Sequence, residues 1–185
     1  MKGMNLTKTT LMLISSLAVV AVLFAPNLST ALSIGDGDDN FIDPGVVSTY
    51  QIFAGQTILV GQLNVWNDGT NVCVEYVLQD GWAMVESHVD MAADQGLIPQ
   101  TQRGNPIPGH FAQGEAYPDL TIEDIFYFTP LEGTVVIAAH AAVVHVAEDG
   151  SIDQEETAWA AFEVGDMPFT GSNWATYVTF GEPLL

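Results

Sequence analysis

The sequence predicts an all-β protein, an antiparallel β-sandwich of about seven or eight strands with one long Pro/Gly-rich loop. Three observations support this class. Apolar and polar residues alternate with a period of two over much of the chain, as in strands with one buried face. Asp-Gly pairs, which suit tight hairpin turns, separate these runs. Helical periodicity is absent after the first 31 residues. A closed barrel is the alternative arrangement of such strands.

Residues 1–31 have the pattern of a secretory signal peptide. Lys2 and Lys8 give a positive start, and the run from Leu11 to Ala25 is apolar and uncharged. Small residues ending at Ala31 suit signal peptidase. The apolar run is shorter than the roughly 20 residues that span a bilayer. We therefore expect cleavage after Ala31, a secreted or cell-surface protein, and no membrane contact afterwards.

The remaining chain predicts a short arm followed by one domain. Residues 32–47 are rich in Asp, Gly and Ser, and we expect an acidic flexible arm there. Residues 48–185 form the single sandwich domain, since no linker or repeat divides them. The first three strands are expected as a meander, with Asp80-Gly81 turning the second into the third. The predicted strands are 56–66, 71–79, 82–91, 121–129, 133–146, 156–164 and 173–180.

The segment 92–120 interrupts this pattern. It contains Pro99, Pro106, Pro108 and Pro118. Proline removes a backbone donor and fixes φ, so the segment is predicted to be an ordered loop rather than ladder strand. Loops of this length are unusual in compact domains and often carry function.

Charge excludes two classes of partner. The chain has 23 acidic residues against 3 basic ones, and after the leader Arg103 is the sole base, a balance of −22. Nucleic acids and anionic membranes bind clustered Lys and Arg, so neither is expected as a partner. Self-repulsion at this charge predicts that cations stabilise the domain.

Cys73 is the only cysteine, which excludes an intrachain disulfide and predicts a packed thiol.

One predicted strand carries a candidate metal site. Glu86, His88 and Asp90 alternate along it, so a pleated strand points all three the same way. Carboxylate and imidazole ligands suit a divalent metal, or a general-base pair. His140 lies within an apolar run, and we expect it to approach His88 across paired strands and to share a site with Glu86. The ordinary interpretation is a solvated face for the first three and a core hydrogen bond for His140.

Calcium is a second candidate ligand. Asp36, Asp38 and Asn40 place oxygens at alternating positions, but the segment departs from the EF-hand pattern. A later acidic turn contains Asp149 and Asp153. No cofactor is firmly implied, and Ca²⁺ or another divalent cation is the candidate that these oxygens suggest.

Tryptophans suggest a third kind of site. Exposed aromatic side chains can stack on sugar rings, whereas buried ones are ordinary core residues. The four candidates, all near predicted strand ends, are Trp66, Trp82, Trp159 and Trp174.

Several segments together resemble a group of uncharacterised secreted β-domain proteins of bacteria and archaea. The Gly-Asn-Pro-x-Pro-Gly loop at 104–109 is the most specific, and the resemblance extends over about residues 50–180. Ser87 stands where that group is expected to have Thr. The resemblance implies export and a β fold, and it implies no particular activity. The other segments are VGQLNVWNDG (60–69), the run from GW to ESH (81–88), IPQT (98–101), AAHA (138–141), ETAW (156–159) and NWATY (173–177).

The sequence contains none of four common catalytic or cofactor-binding motifs: the nucleophile elbow, the zinc-protease motif, the phosphate-binding loop and the dinucleotide fingerprint. Their absence favours a protein without catalysis. The sequence therefore predicts an exported acidic module that binds a ligand or forms matrix, surface or filament structure. Its partners would be copies of itself, through the 32–47 arm, or an extracellular polysaccharide. The alternatives are a metal-dependent hydrolase using Glu86, His88 and His140, and a carbohydrate-binding module using the tryptophans.

Overall fold

Nine antiparallel strands make up most of the structure, a computed structural model that describes residues 46–163 and 168–181. The prediction of an all-β protein is confirmed. Two short 3-10 helices, Gln95–Leu97 and Pro108–His110, interrupt the strands. The strands are β1 (Ser48–Ala54), β2 (Ile58–Asn67), β3 (Val72–Leu78), β4 (Trp82–Ala92), β5 (Gln113–Thr121), β6 (Glu123–Phe128), β7 (Val135–Val146), β8 (Ile152–Ala161) and β9 (Val178–Phe180).

Hydrogen-bonded ladders join these strands into one sheet, in the order β5-β4-β7-β8-β1-β2-β3-β6, with β9 pairing the start of β7. The sheet curls until its end strands meet. Gln113 Nε2 donates to the Tyr127 carbonyl at 2.7 Å, and the Tyr117 hydroxyl donates to the Asp124 carboxylate. The result is a nearly closed, barrel-like sheet. The predicted division into two facing sheets is not confirmed, because side chains and continuous ladders link the whole set.

Inward-pointing residues of the curled sheet form the main core. Alternation places Ile52, Leu63, Val74 and Ile137 inside, each almost fully buried. Burying such side chains stabilises a fold by about 1.5–3 kcal/mol each. Tyr76 is also buried, and its hydroxyl donates to the carbonyls of His88 and His140 at 3.2 and 3.0 Å. Those contacts tie β3 across the interior to β4 and β7.

The Asp80-Gly81 turn forms as expected, but it does not make a hairpin ladder. Asp80 and Gly81 have φ values of 55° and 82°, and Trp82 N–H donates to the Gln79 carbonyl at 3.0 Å. β3 pairs with β2 and β6, whereas β4 pairs with β5 and β7. The predicted meander is therefore wrong at its third strand. Both edges of β3 are already occupied, so the turn carries β4 to another part of the sheet.

The segment 92–120 is only partly the predicted loop, because its last part is β5. Among the nine described strands this end strand pairs with β4 alone, so Pro118 can lie in it without breaking a second ladder. A register shift places residues 117–120 opposite Val85, and Leu120 there adopts a left-handed φ of 52°. Proline thus marks a bulge on an edge strand.

β1 (Ser48–Ala54) was not among the strands predicted from the sequence.

Two segments, 93–112 and 168–177, form a covering layer over the outer face of β4, β7 and β8. Ile98, Phe111 and Phe169 of this layer are buried and join Ala138 and Trp159 of the sheet in a second hydrophobic cluster. Polar contacts hold the two segments together, because Asn105 Oδ1 accepts hydrogen bonds from the backbone N–H groups of residues 172 and 173 at 2.7 and 3.1 Å.

The outer face of β1, β2, β3 and β6, the open face, is different. Most of its outward side chains are exposed or half-buried, among them Thr49, Gln51, Gln62 and Tyr127. The 32–47 arm lies outside the described residues except for Val46 and Val47, and so does the 1–31 leader.

Candidate functional site

A histidine pair lies on the covered half of the sheet. Ser87 and Val89 point into the core, so Glu86, His88 and Asp90 share the outer side of β4. The β4–β7 ladder pairs His88 directly with His140. Their rings are nearly parallel, with centroids 5.9 Å apart and an interplanar angle of 27°. The predicted approach of these two residues across paired strands is therefore what the structure has.

His140 is held in a largely apolar environment. Its ring lies 4.8 Å from that of Trp159. Its Nδ1 is buried and has no hydrogen-bond partner among residues 46–163 and 168–181. Burial, together with a smaller contribution from charge repulsion by His88, lowers the pKa of His140 to about 4. His140 is therefore neutral at pH 7, and the core hydrogen bond expected for its side chain is absent in this part of the chain.

The two carboxylates beside this pair make separate contacts. Glu86 Oε1 lies 2.7 Å from His88 Nε2. Asp90 accepts a hydrogen bond from the Ala112 N–H at 3.0 Å, and burial raises the pKa of Asp90. Within the described ranges, no three His, Cys, Asp or Glu side chains are arranged to hold a metal ion. The structure thus brings Glu86, His88 and His140 close together, while Asp90 contacts the covering layer.

The calcium candidates fall in two places. Asp36, Asp38 and Asn40 lie outside the described residues. Asp149 accepts hydrogen bonds from the backbone N–H and hydroxyl of Ser151, at 2.9 and 2.6 Å. Asp153 Oδ1 lies 2.7 Å from His145 Nδ1. Each of these two carboxylates therefore already has a protein partner.

Cys73 is the packed thiol that the sequence predicts. It is 1% exposed, and its sulfur lies 3.5 Å from Asp68 Oδ2. Burial and the nearby carboxylate raise the pKa of Cys73 to about 11. A thiol with this pKa is a weak nucleophile at neutral pH.

The four tryptophans differ in their surroundings. Trp82 is buried in the main core, with its ring 5.4 Å from that of His145. Trp66 is half-buried on the open face. Trp159 of β8 is 5% exposed, and Trp174 of the covering layer is half-buried beside it. The structure brings Trp159 and Trp174 to one site and leaves Trp66 and Trp82 elsewhere.

That site is a surface pocket of about 130 Å³ where the covering layer meets the open face. The β1–β8 ladder pairs Phe53 with Trp159, which forms the aromatic floor. Thr176 fixes the covering segment to the sheet, because its Oγ1 donates to the Ala160 carbonyl at 2.9 Å. Among residues 46–163 and 168–181, no ionisable side chain belongs to the lining. Its residues are Phe53, Gln56, Thr57, Trp159, Ala161, Trp174 and Thr176.

A strained turn brings Gln56 to the pocket. Gly55 and Gln56 both have positive φ, 51° and 77°, and Thr57 N–H donates to the Ala54 carbonyl at 3.2 Å. This is a type I′ turn, in which Gly or Asn is usual at both central positions. A glutamine there costs about 1 kcal/mol, and such strain is concentrated at functional sites.

Sequence reasoning missed Gln56 and Thr57 because it assigned them to a strand. The signal that could have found them is the glycine between two alternating runs, which marks a hairpin turn. Phe53 and Thr176 had no comparable signal, since their role depends on pairing with distant residues.

Comparison of the chain with protein family models, with curated proteins and with solved structures found no match. In the part of the chain that the structure describes, no helix has the length and apolarity needed to cross a membrane.

Proposed function

We propose that the protein is an exported binding module without catalysis, and that the pocket between Trp159 and Trp174 holds a neutral sugar ring. The observation that carries this proposal is the lining itself. The half-buried Trp174 indole and the largely buried rings of Phe53 and Trp159 converge from three segments with the Gln56 amide and the Thr57 hydroxyl, while the Thr176 hydroxyl is bonded to the Ala160 carbonyl. Sites for small molecules combine apolar walls with a few such polar groups.

The chemistry of the lining favours a sugar over other small ligands. A pyranose ring has apolar C–H faces that stack on aromatic rings, and hydroxyl groups around its edge that bond amides and hydroxyls. Anionic ligands are disfavoured, because no base of the described part of the chain lines the pocket and the net charge is −20. Gln56 supports the proposal, because a strained turn presents its amide at the rim.

Isothermal titration calorimetry with a panel of neutral monosaccharides and their short oligomers tests this function. At least one panel member is expected to bind, with a Kd on the order of 1 mM for a single ring. Trp174→Ala removes one aromatic wall and should weaken binding at least about tenfold. Gln56→Asn shortens the amide while keeping a residue that tolerates left-handed φ, and it should also weaken binding.

Leu97→Ala is the matched control, since Leu97 is 70% exposed on the covering layer and does not line the pocket. It should bind as the wild type does. Circular dichroism confirms that each variant is folded. A panel without any binding member, or a folded Trp174→Ala protein with unchanged affinity, would overturn the proposal.

A metal-dependent hydrolase is the second candidate, favoured by the unpartnered Nδ1 of His140 beside His88. Histidine nitrogens suit Zn²⁺ and similar ions. Metal analysis after incubation with Zn²⁺, compared between wild type and His88→Ala, tests it. Bound metal in the wild type and its loss in the variant would support a metal site at this histidine pair, which the hydrolase requires. Equal metal content in both proteins would remove it.

A further inference from the structure

We infer that the ligand of this pocket is a linear neutral glycan chain, bound along a polar strip of the open face as well as in the pocket. The strip consists of the outward residues Thr49 and Gln51 of β1, Gln62 and Asn64 of β2, and Glu75 of β3. This inference rests on the proposed function and names its ligand class.

The strip begins at the pocket. β1 carries Phe53 in the pocket and Gln51 just beyond it, and the β1–β8 ladder pairs Gln51 with Ala161, another lining residue. Across β1 and β2, Gln51 pairs directly with Gln62. Both glutamines are exposed, so they present two amides to solvent at the mouth of the pocket.

Hydrogen bonds already order the next row. Thr49 Oγ1 donates to Asn64 Oδ1 at 3.0 Å, and Asn64 Nδ2 donates to Glu75 Oε2 at 2.9 Å. Their positions follow from the register, which pairs Thr49 with Asn64 and Asn64 with Glu75. Fixed polar groups lose little entropy when they bind a ligand, so this row is suited to recognition.

Aromatic side chains lie at both ends of the strip. Trp66 follows Asn64 on the same side of β2 and is half-buried, while the indoles of the pocket lie at the other end. Gln62 and Trp66 are roughly 13 Å apart at about 3.3 Å per residue. The distance exceeds one sugar ring, so the layout suits a chain of rings. Glu75 is the one charged side chain of the strip, and a neutral glycan therefore meets mostly amides and hydroxyls.

The test measures how affinity depends on ligand length. Calorimetry uses neutral glucans, mannans, xylans and galactans, each as the monosaccharide and as linear oligomers of increasing length. Wild-type affinity should rise at least about tenfold from the monosaccharide to the longer oligomers of the preferred sugar. Gln51→Ala/Gln62→Ala should abolish this rise, so that the variant binds the oligomers no more tightly than it binds the monosaccharide. Trp66→Ala should weaken only the longest oligomers.

Gln102→Ala is the control, because Gln102 is an exposed glutamine of the covering layer outside the strip and the pocket. It should retain the full length dependence. Equal affinity for monosaccharide and oligomers overturns the inference and leaves the proposed function intact. A length dependence that survives the double variant also overturns it. No binding by any sugar overturns both. A strip variant that changes the association state in analytical ultracentrifugation would instead identify this face as a contact between copies of the chain.

Discussion

The covered and open halves of the sheet surface differ in what their outward side chains contact. On β7, in the covered half, the outward Val136, Ala138 and Val144 are buried, so almost the whole strand is apolar. On β2, in the open half, buried core residues alternate with Gln62 and Asn64. In this protein, therefore, a strand that is apolar throughout lies in the part of the sheet that is covered on both faces. A strand with alternating polar residues lies in the part with one free face.

The largest expected contrast between the halves concerns their tryptophans. Trp159→Ala should lower the free energy of unfolding by about 3–5 kcal/mol, because it empties a buried site against His140, Phe111 and Phe169. Trp66→Ala removes a half-buried side chain and should cost about 1 kcal/mol. Urea unfolding of both variants measures this. Equal losses would contradict the division into a covered and an open half.

Part of the free energy of unfolding should be lost at acid pH because of His140, which lies in the covered half. The folded pKa of His140 is about 4 against an ordinary value of 6.5, so the unfolded chain binds more protons between these values. This contribution to stability is therefore full above pH 6.5 and falls as the pH drops to about 4, by an amount on the order of 2 kcal/mol.

Comparison with His140→Phe isolates this effect, because the carboxylates, including Asp90 and Glu86, are common to both proteins. Urea unfolding between pH 7 and pH 4, expressed as the difference between wild type and variant, provides the measurement. Parallel pH profiles would show that His140 is not the source.

Two asparagines offer a smaller contrast. Asn105→Ala removes the acceptor for two backbone N–H groups of the covering layer and should cost about 1–2 kcal/mol. Amide hydrogen exchange in residues 168–177 should increase. Asn64→Ala on the open face should cost about 0.5 kcal/mol, because water can replace its exposed partners. Unchanged exchange in the Asn105 variant would mean that the second hydrophobic cluster and the remaining hydrogen bonds, such as that of Thr176, hold the layer without Asn105.

The smallest expected effect concerns the turn that joins the pocket to the open face. Gln56→Gly should raise the free energy of unfolding by about 0.5–1 kcal/mol, since glycine adopts a φ of 77° without strain. Asp80→Gly is the control in the Asp80-Gly81 turn, which also has two positive φ values, with a smaller gain because Asp tolerates left-handed backbone. Thermal unfolding measures both. A loss of stability in Gln56→Gly would mean that the Gln56 side chain stabilises the fold.

Much of the site could be anticipated wherever it depends on alternation along a strand. The pleat places Glu86, His88 and Asp90 on one side of β4. The direct pairing of His88 with His140 requires in addition the β4–β7 partnership and its register. The pocket could not be anticipated. Phe53, Trp159 and Trp174 are far apart in the sequence, and only the β1–β8 ladder and the covering layer bring them together.

By itself, the sequence determined the all-β class and the tight turn at Asp80-Gly81, because these depend on local alternation and backbone preference. The tertiary structure decided that the strands curl into one sheet, that β4 leaves β3, and that Pro118 lies at an edge. The physical reason is that ladder partners are chosen by long-range packing. Tyr76, for example, reaches across the interior to the carbonyls of His88 and His140, a contact that no local pattern encodes.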